Sequence, residues 1–239
     1  MSTLLLRLAA PLQSWGSKSR FQWRETNKEP TKSGVIGLLA AAQGRRRSDS
    51  IDDLQNIKFG VRIDQPGRLL QDFHTAHTDD GKQSFISFRR YLADAVFLVG
   101  LQDDDERLIE YQKSLVNPTF PLFLGRRSCP PTQPFVLGIR ENVDLFAALQ
   151  MEPWQASAFY QKKLKRQREV KLEIVVDVEY GSLGFYTQSD LPRTFNQTYR
   201  QYSSRSLISR IDGAIKENPM FATSPSTTEH DAIAALEEG

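Results

Sequence analysis

Apolar residues at positions 4–9, interrupted by Arg7 and closed by Pro11, have the pattern of a buried strand. Residues 13–30 show no period and mix aromatic with basic side chains (Trp15, Lys18, Arg20, Phe21, Trp23, Arg24), the signature of a loop. Thr31 then stands where a helix N-cap belongs, and Val35, Leu38, Leu39 and Ala42 follow at helical spacing. Gly34 and Gly37 weaken that helix by about 1 kcal/mol each relative to alanine, so a neighbour must approach its first turns closely. Residues 57–63 alternate as a strand and end at the Gln65-Pro66-Gly67 turn. Residues 69–91 hold more His, Asp, Arg and Phe than a core needs, with Asp79-Asp80-Gly81 as a hairpin-like turn between two extended arms. A buried strand at 95–101, an amphipathic helix at 103–116 with acids in its first turn, and a strand at 135–139 complete this half.

With 69–91 taken as an insertion, the order strand, helix, strand, strand, helix, strand predicts an α+β, ferredoxin-like (RNA-recognition-type) domain over residues 1–140. The remainder, 141–215, reads as a smaller β-rich C-terminal domain. Its elements are a short helix at 144–149, a loop or basic helix at 154–168, a strand at 172–179 and a closing strand at 207–211. Residues 216–239 read as a mobile acidic tail. No repeat of fixed period is present.

Length narrows the class. A chain of 239 residues can bury about 70% of its unfolded surface, and 39% hydrophobic content supplies the core for it. No apolar run approaches the ~20 residues of a membrane helix, and no basic region precedes the first apolar stretch, so the expected location is the cytoplasm, with no membrane partner. The single cysteine excludes an intrachain disulfide and a four-cysteine zinc site. The net charge of +2 names no partner, but its distribution is uneven. Six of the ten residues 162–171 are basic, Arg45-Arg46-Arg47 is a second cluster and Arg126-Arg127 a third. A nearly neutral protein can thus carry a basic face.

Few residues point to catalysis. Asp72, His74, His77, Asp79 and Asp80 have ligand chemistry suited to a divalent cation, but their spacing matches no helical zinc motif and they flank a flexible turn. A polar loop that presents His74 to a partner is the better reading. Arginines ahead of Cys129 would favour a thiolate, yet no histidine partner is apparent. The Gly125-Arg126-Arg127-Ser128 turn suits phosphate, because glycine admits the backbone and arginine binds bidentately. Lys32-Ser33-Gly34 at a helix start offers free amides, a cation and a hydroxyl to phosphate, and Trp15 offers a ring to a base. Together these favour single-stranded RNA.

Several motifs resemble a known family. Leu6-Arg7-Leu8-Ala9-Ala10-Pro11-Leu12-Gln13-Ser14-Trp15-Gly16 and the stretch from Pro30-Thr31-Lys32-Ser33-Gly34 to Leu39 are similar to the opening of CasD-type subunits of type I-E CRISPR Cascade complexes. Asp72-Phe73-His74-Thr75, Arg90-Tyr91-Leu92-Ala93-Asp94-Ala95 and Leu124-Gly125-Arg126-Arg127-Ser128-Cys129-Pro130 continue the resemblance in order, and Leu191-Pro192-Arg193 extends it weakly. It implies a repeat-associated RNA-binding fold with a projecting thumb near 69–91. It also implies a non-catalytic subunit that caps the 5′ handle of CRISPR RNA beside a backbone subunit and the large subunit, meeting target DNA only through the complex. No cofactor and no metal are implied. The expected RNA contacts are Gln13, Trp15, Lys32, Ser33, Gly34, His74, Arg89, Arg90, Arg126, Arg127 and Ser128. Relatives in type I-C systems cut RNA, so the alternative is a metal-independent endonuclease that processes precursor CRISPR RNA through a group such as His74, Lys32 or Tyr91.

Overall fold

The computed structural model of the protein describes residues 1–16, 22–80 and 82–222. Lys18, Arg20 and Phe21 of the basic–aromatic loop, Gly81 of the hairpin turn and His230 of the expected tail lie outside the described residues.

The first strand, β1 (Ser2–Ala9), is buried over nearly its whole length. Its even positions Leu4, Leu6 and Leu8 enter one core with α1 (Lys32–Ala42) and α2 (Asp105–Val116), while Leu5 enters a second core on the other face. A continuous apolar run follows directly from burial on both faces. Thr31 caps α1 as expected, its hydroxyl accepting from the Gly34 amide. The close neighbour that Gly34 demands is Trp15: a Cβ added there would lie 2.8 Å from the indole ring.

Strands β4 (Lys58–Gln65), β7 (Val96–Asp103) and β8 (Val136–Arg140) join β1 in the order β4-β7-β1-β8, all neighbours antiparallel. The C-terminal half does not stand apart as the expected boundary at 141 implied. Its strands β9 (Glu169–Asp177), β10 (Tyr186–Thr194) and β11 (Gln201–Glu217) continue the same sheet through β4, giving seven strands in the order β10-β11-β9-β4-β7-β1-β8. Helix α3 (Leu145–Met151) covers the second core and is followed by the short α4 (Ala158–Lys163). The expected strand at 207–211 is the middle of a 17-residue strand, irregular between Arg210 and Ala214. Residues 216–222, expected as the start of a tail, end this strand and return to the chain at 161–168, where the Asn218 and Ala222 amides donate to the Arg168 and Lys165 carbonyls.

A second sheet rises from this body. Strands β5 (Arg68–His77) and β6 (Ser84–Ala93) pair antiparallel in unbroken register, and every β5 residue is exposed. Short pieces β2 (Leu12–Gln13) and β3 (Trp23–Arg24) flank β6 on its other side, with Trp23 stacked on Phe88 at 4.6 Å. The hairpin spans the polar segment 69–91, and its root is tied to the N-terminal segment through β2. Among the described residues no helix is long and apolar enough to cross a membrane.

Candidate nucleic-acid interface

Two adjoining cavities, about 460 and 360 Å³, share Arg47, Phe123, Gly125 and Arg127 and form one cleft. Its walls are the first turns of α1 (Thr31, Ser33, Gly34, Gly37), the arginines that follow that helix, the 120–128 loop, and Phe195, Arg200 and Tyr202 at the β10–β11 connection. The described lining holds eight arginines (Arg24, Arg45, Arg46, Arg47, Arg89, Arg126, Arg127, Arg200) and no aspartate, glutamate or histidine. Arg45 is already spent, bidentate on Asp53 at 2.5 Å. The remaining guanidiniums give the cleft a positive field that no lining carboxylate cancels.

The loop at 124–129 is rigid for local reasons. The Cys129 amide donates to the Arg126 carbonyl, the Leu124 amide to the Cys129 carbonyl, and the Ser14 amide to the Leu124 carbonyl. Gly125 has a φ of +86°, and a Cβ there would fall 1.6 Å from the Ser14 carbonyl oxygen, so only glycine permits this approach. Arg126 lies over the buried Tyr91 ring at 4.3 Å and donates through Nη2 to the Arg24 carbonyl, while its Nη1 is buried with no partner among the described residues. Arg127 and Ser128 are exposed.

The structure brings Ser33, Gly34, Trp15, Arg89, Arg126, Arg127 and Ser128 to the cleft, but the chemistry of several differs from expectation. Trp15 is 1% exposed, its indole N–H donating to the Gln13 side chain, so the ring shapes the wall beneath Gly34 and is not open to a base. Gln13 is fully buried, and its amide donates to the Leu8 and Ala95 carbonyls. Lys32 is also buried, with Nζ 2.8 Å from Asp177. The free helix amides expected to meet phosphate already meet an anion, since the Lys32 amide donates to the buried Asp190 carboxylate at 2.9 Å. The positions foreseen for Gln13, Trp15 and Lys32 as ligand contacts are thus taken up inside the protein. His74 and Arg90 stand on the hairpin outside the cleft lining, His74 at 2.7 Å from Asp72 and Arg90 paired with Glu25.

Sequence reasoning placed Arg45-Arg46-Arg47 among the basic clusters without assigning it to a site. It had no signal for Arg200, Tyr202 or Phe195, because they reach the cleft from the β10–β11 connection and the start of β11, more than 150 residues beyond α1.

Cys129 is a buried free thiol. Burial pushes its thiol up, outweighing the opposite pull of the Ser128 hydroxyl and the Arg126 charge. A thiol-alkylating reagent at neutral pH is expected to leave it largely unmodified in the native protein and to react fully after denaturation. Rapid native labelling would show that the 124–129 turn opens.

Arginines that, Arg45 apart, have no carboxylate partner among the described residues, together with glycine-permitted backbone and flanking aromatics, suit a phosphate backbone with unstacked bases. Comparison with known proteins narrows the field. The model of the family described as CRISPR-associated protein (Cas_Cas5) matches residues 3–208. The Escherichia coli K12 protein described as CRISPR system Cascade subunit CasD is 36% identical over 169 residues, 62% of this chain and 75% of that protein. A chain of a solved CRISPR RNA-guided surveillance complex is similar with a TM-score of 0.73 and 29% identity, covering 99% of this chain and all of that one. A crystal structure of a Cas protein gives 0.69 and 34%, covering 93% and 99%. A family match across most of the chain, joined to likeness in sequence and in fold, establishes that this chain belongs to the CRISPR-associated Cas5 family and is of the CasD type.

Proposed function

We propose that the chain is a non-catalytic subunit of a Cascade-type CRISPR surveillance complex, and that its arginine cleft holds the 5′ handle of the CRISPR RNA. The observation that carries this reading is the lining itself: many guanidiniums, aromatic flanks and, among the described residues, no carboxylate. Arg24, Arg47, Arg89, Arg126 and Arg127 take phosphates, and Ser33 and Ser128 add hydroxyl hydrogen bonds. Gln13, Trp15 and Lys32 act behind them by fixing the wall against which Gly34 and the 124–129 turn sit.

In this reading β4, β7, β1 and β8 with α1 and α2 form a ferredoxin-like unit, supported by their antiparallel order and by the two helices sharing one core. The β5–β6 hairpin is the thumb, and His74 and Arg90 on it face RNA or the adjacent backbone subunit. The large subunit of the complex is the other protein neighbour. The chemistry of the cleft favours holding over cutting, because cleavage of RNA needs a positioned base and its described lining offers no histidine or lysine.

Binding of labelled single-stranded repeat RNA by the full chain tests this. Each phosphate neutralised on a single strand adds about −0.7 to the slope of log K against log salt, so Arg126→Ala with Arg127→Ala should flatten it by about 1.4. An unchanged slope and affinity would remove these arginines from the site. Specific, saturable cutting of the repeat by pure protein without metal, lost in His74→Ala, would replace the reading by the endonuclease.

A further inference from the structure

The densest run of positive charge lies outside the cleft. Lys162, Lys163, Lys165, Arg166, Arg168 and Lys171 occupy the end of α4, the loop after it and the start of β9, and line neither cavity. All six are exposed, and among the described residues none makes an ion pair or a side-chain hydrogen bond. Glu169 and Glu217, opposite one another in the β9–β11 register, are the nearest carboxylates along these strands. So much like charge in one loop repels itself and gains nothing for the fold.

The loop is nevertheless held still. Asn218, only 4% exposed, donates through its side-chain amide to the Gln161 carbonyl at 3.1 Å and the Leu164 carbonyl at 2.9 Å. The backbone amides of Asn218 and Ala222 add bonds to the Arg168 and Lys165 carbonyls at 2.8 and 3.0 Å. At its other end α4 is pinned by Ser157, whose amide and hydroxyl both donate to Gln65 at the end of β4. A buried asparagine committed to fixing an uncompensated basic loop is a costly arrangement unless the charges meet an anion.

The geometry points to a second nucleic-acid surface here, one that grips the phosphate backbone of duplex DNA without reading sequence. The choice of a duplex follows from the contrast with the cleft. There the cations are arginines in a concavity with aromatic residues, suited to a single strand whose bases unstack. Here four of the six are lysines, compact point charges on long stems, lying outside both cavities of the cleft, with no aromatic residue within 162–171 and the exposed Phe159 one turn before them on α4. Such a surface contacts phosphates from outside. It adds a direct DNA contact to a subunit that the family resemblance brings to DNA only through its complex, and it stands whether or not the cleft holds RNA.

The test uses the full chain, a mixed-sequence duplex of about 30 base pairs and a single-stranded RNA of equal length, titrated by fluorescence anisotropy across roughly 50–300 mM salt. The variant Lys162→Gln/Lys163→Gln/Lys165→Gln/Arg166→Gln keeps polar, unbranched side chains and removes four charges. On duplex DNA the slope of log K against log salt should flatten by about 3.6, and affinity near 0.1 M salt should fall at least ~10-fold. Affinity for the single-stranded RNA should change less than about 2-fold, whereas Arg126→Ala/Arg127→Ala should weaken the RNA and spare the duplex. Should the quadruple variant melt early, Lys163→Glu alone supplies the same readout, with a slope flatter by about 0.9 or more. An unchanged duplex slope, or equal losses on both probes, would overturn the proposal.

Discussion

Replacing Arg62 by alanine is expected to destabilise the protein by about 3–5 kcal/mol, the cost of breaking a buried ion pair from one side. Arg62 and Asp64 are both fully buried on β4, and all five guanidinium N–H groups have acceptors. Nε and Nη2 donate to Asp64 at 2.7 and 2.8 Å, Nη1 to the Leu149 and Glu152 carbonyls at 2.6 Å each, and Nη2 again to the Pro153 carbonyl at 2.7 Å. The Gln155 amide also donates to Asp64 at 2.5 Å, so one pair closes the C-terminal end of α3 onto the central sheet. The substitution leaves a lone buried carboxylate and three carbonyls without donors. Burial pushes the Asp64 carboxyl up, and Arg62 is the main group pulling it back.

With Arg62 gone, the raised carboxyl binds a proton in the folded state more readily than in the unfolded one. The deficit should therefore be largest at neutral pH and shrink as pH falls toward the ordinary carboxylate range. Urea denaturation near pH 7 and pH 5 measures both effects. The double variant Arg62→Met/Asp64→Asn, which carries no buried charge, should recover part of the loss. A cost below about 1 kcal/mol at neutral pH would show that water reaches Asp64.

Arg205→Ala should be comparably costly, by about 3 kcal/mol or more, and should also weaken the cleft. Arg205 on β11 is bidentate on the buried Asp190 of β10, at 2.6 and 3.0 Å, and bonds Asp177 of β9. Burial opposes its charge, yet the two carboxylates together hold its pKa above the ordinary arginine value. The same carboxylates receive Lys32 from α1, through its amide at Asp190 and its ammonium at Asp177. Two cations and two anions thus lock the start of α1 to three C-terminal strands. Both partners of that lock form cleft walls, and Gly37 of α1 comes within 3.7 Å of Phe195 where a Cβ would sit.

Loss of Arg205 should therefore lower the melting temperature and also reduce affinity for single-stranded RNA at temperatures where the variant remains folded. Lys32→Met separates support from contact. It should lower thermal stability while leaving the salt slope of RNA binding unchanged, because the ammonium is spent on Asp177. A slope flattened by about 0.7 would return Lys32 to the set of phosphate contacts.

Much of the architecture is written locally. The apolar run of β1, the Thr31 cap, the helical spacing from Val35 to Ala42 and the acids at the start of α2 each depend on neighbours a few positions away, and each element lies where its pattern predicts. The hairpin was legible for the same reason, as two arms flanking a turn. Strand β10 was not: it is polar, lies at the sheet edge and contains Pro192, which an edge strand tolerates because one side of it has no ladder to serve. The length of β11 was hidden by serines, arginines and an exposed face that break the alternation.

The sequence by itself determined the elements of the N-terminal half, the Cas5-type order of motifs and the arginine turn at 125–128, because these rest on short-range spacing and on glycine's access to a φ that other residues avoid. Only the tertiary structure decided which cations are free. Lys32-Ser33-Gly34 at a helix start has the local chemistry of a phosphate cradle, but folding brings Asp177 and Asp190 from about 150 residues away to claim its amide and ammonium. Arg47 and Arg200, far apart in the chain and without any joint pattern, meet in one cleft instead. Charge in a sequence is only a count; whether it binds an internal carboxylate or an external phosphate depends on long-range packing.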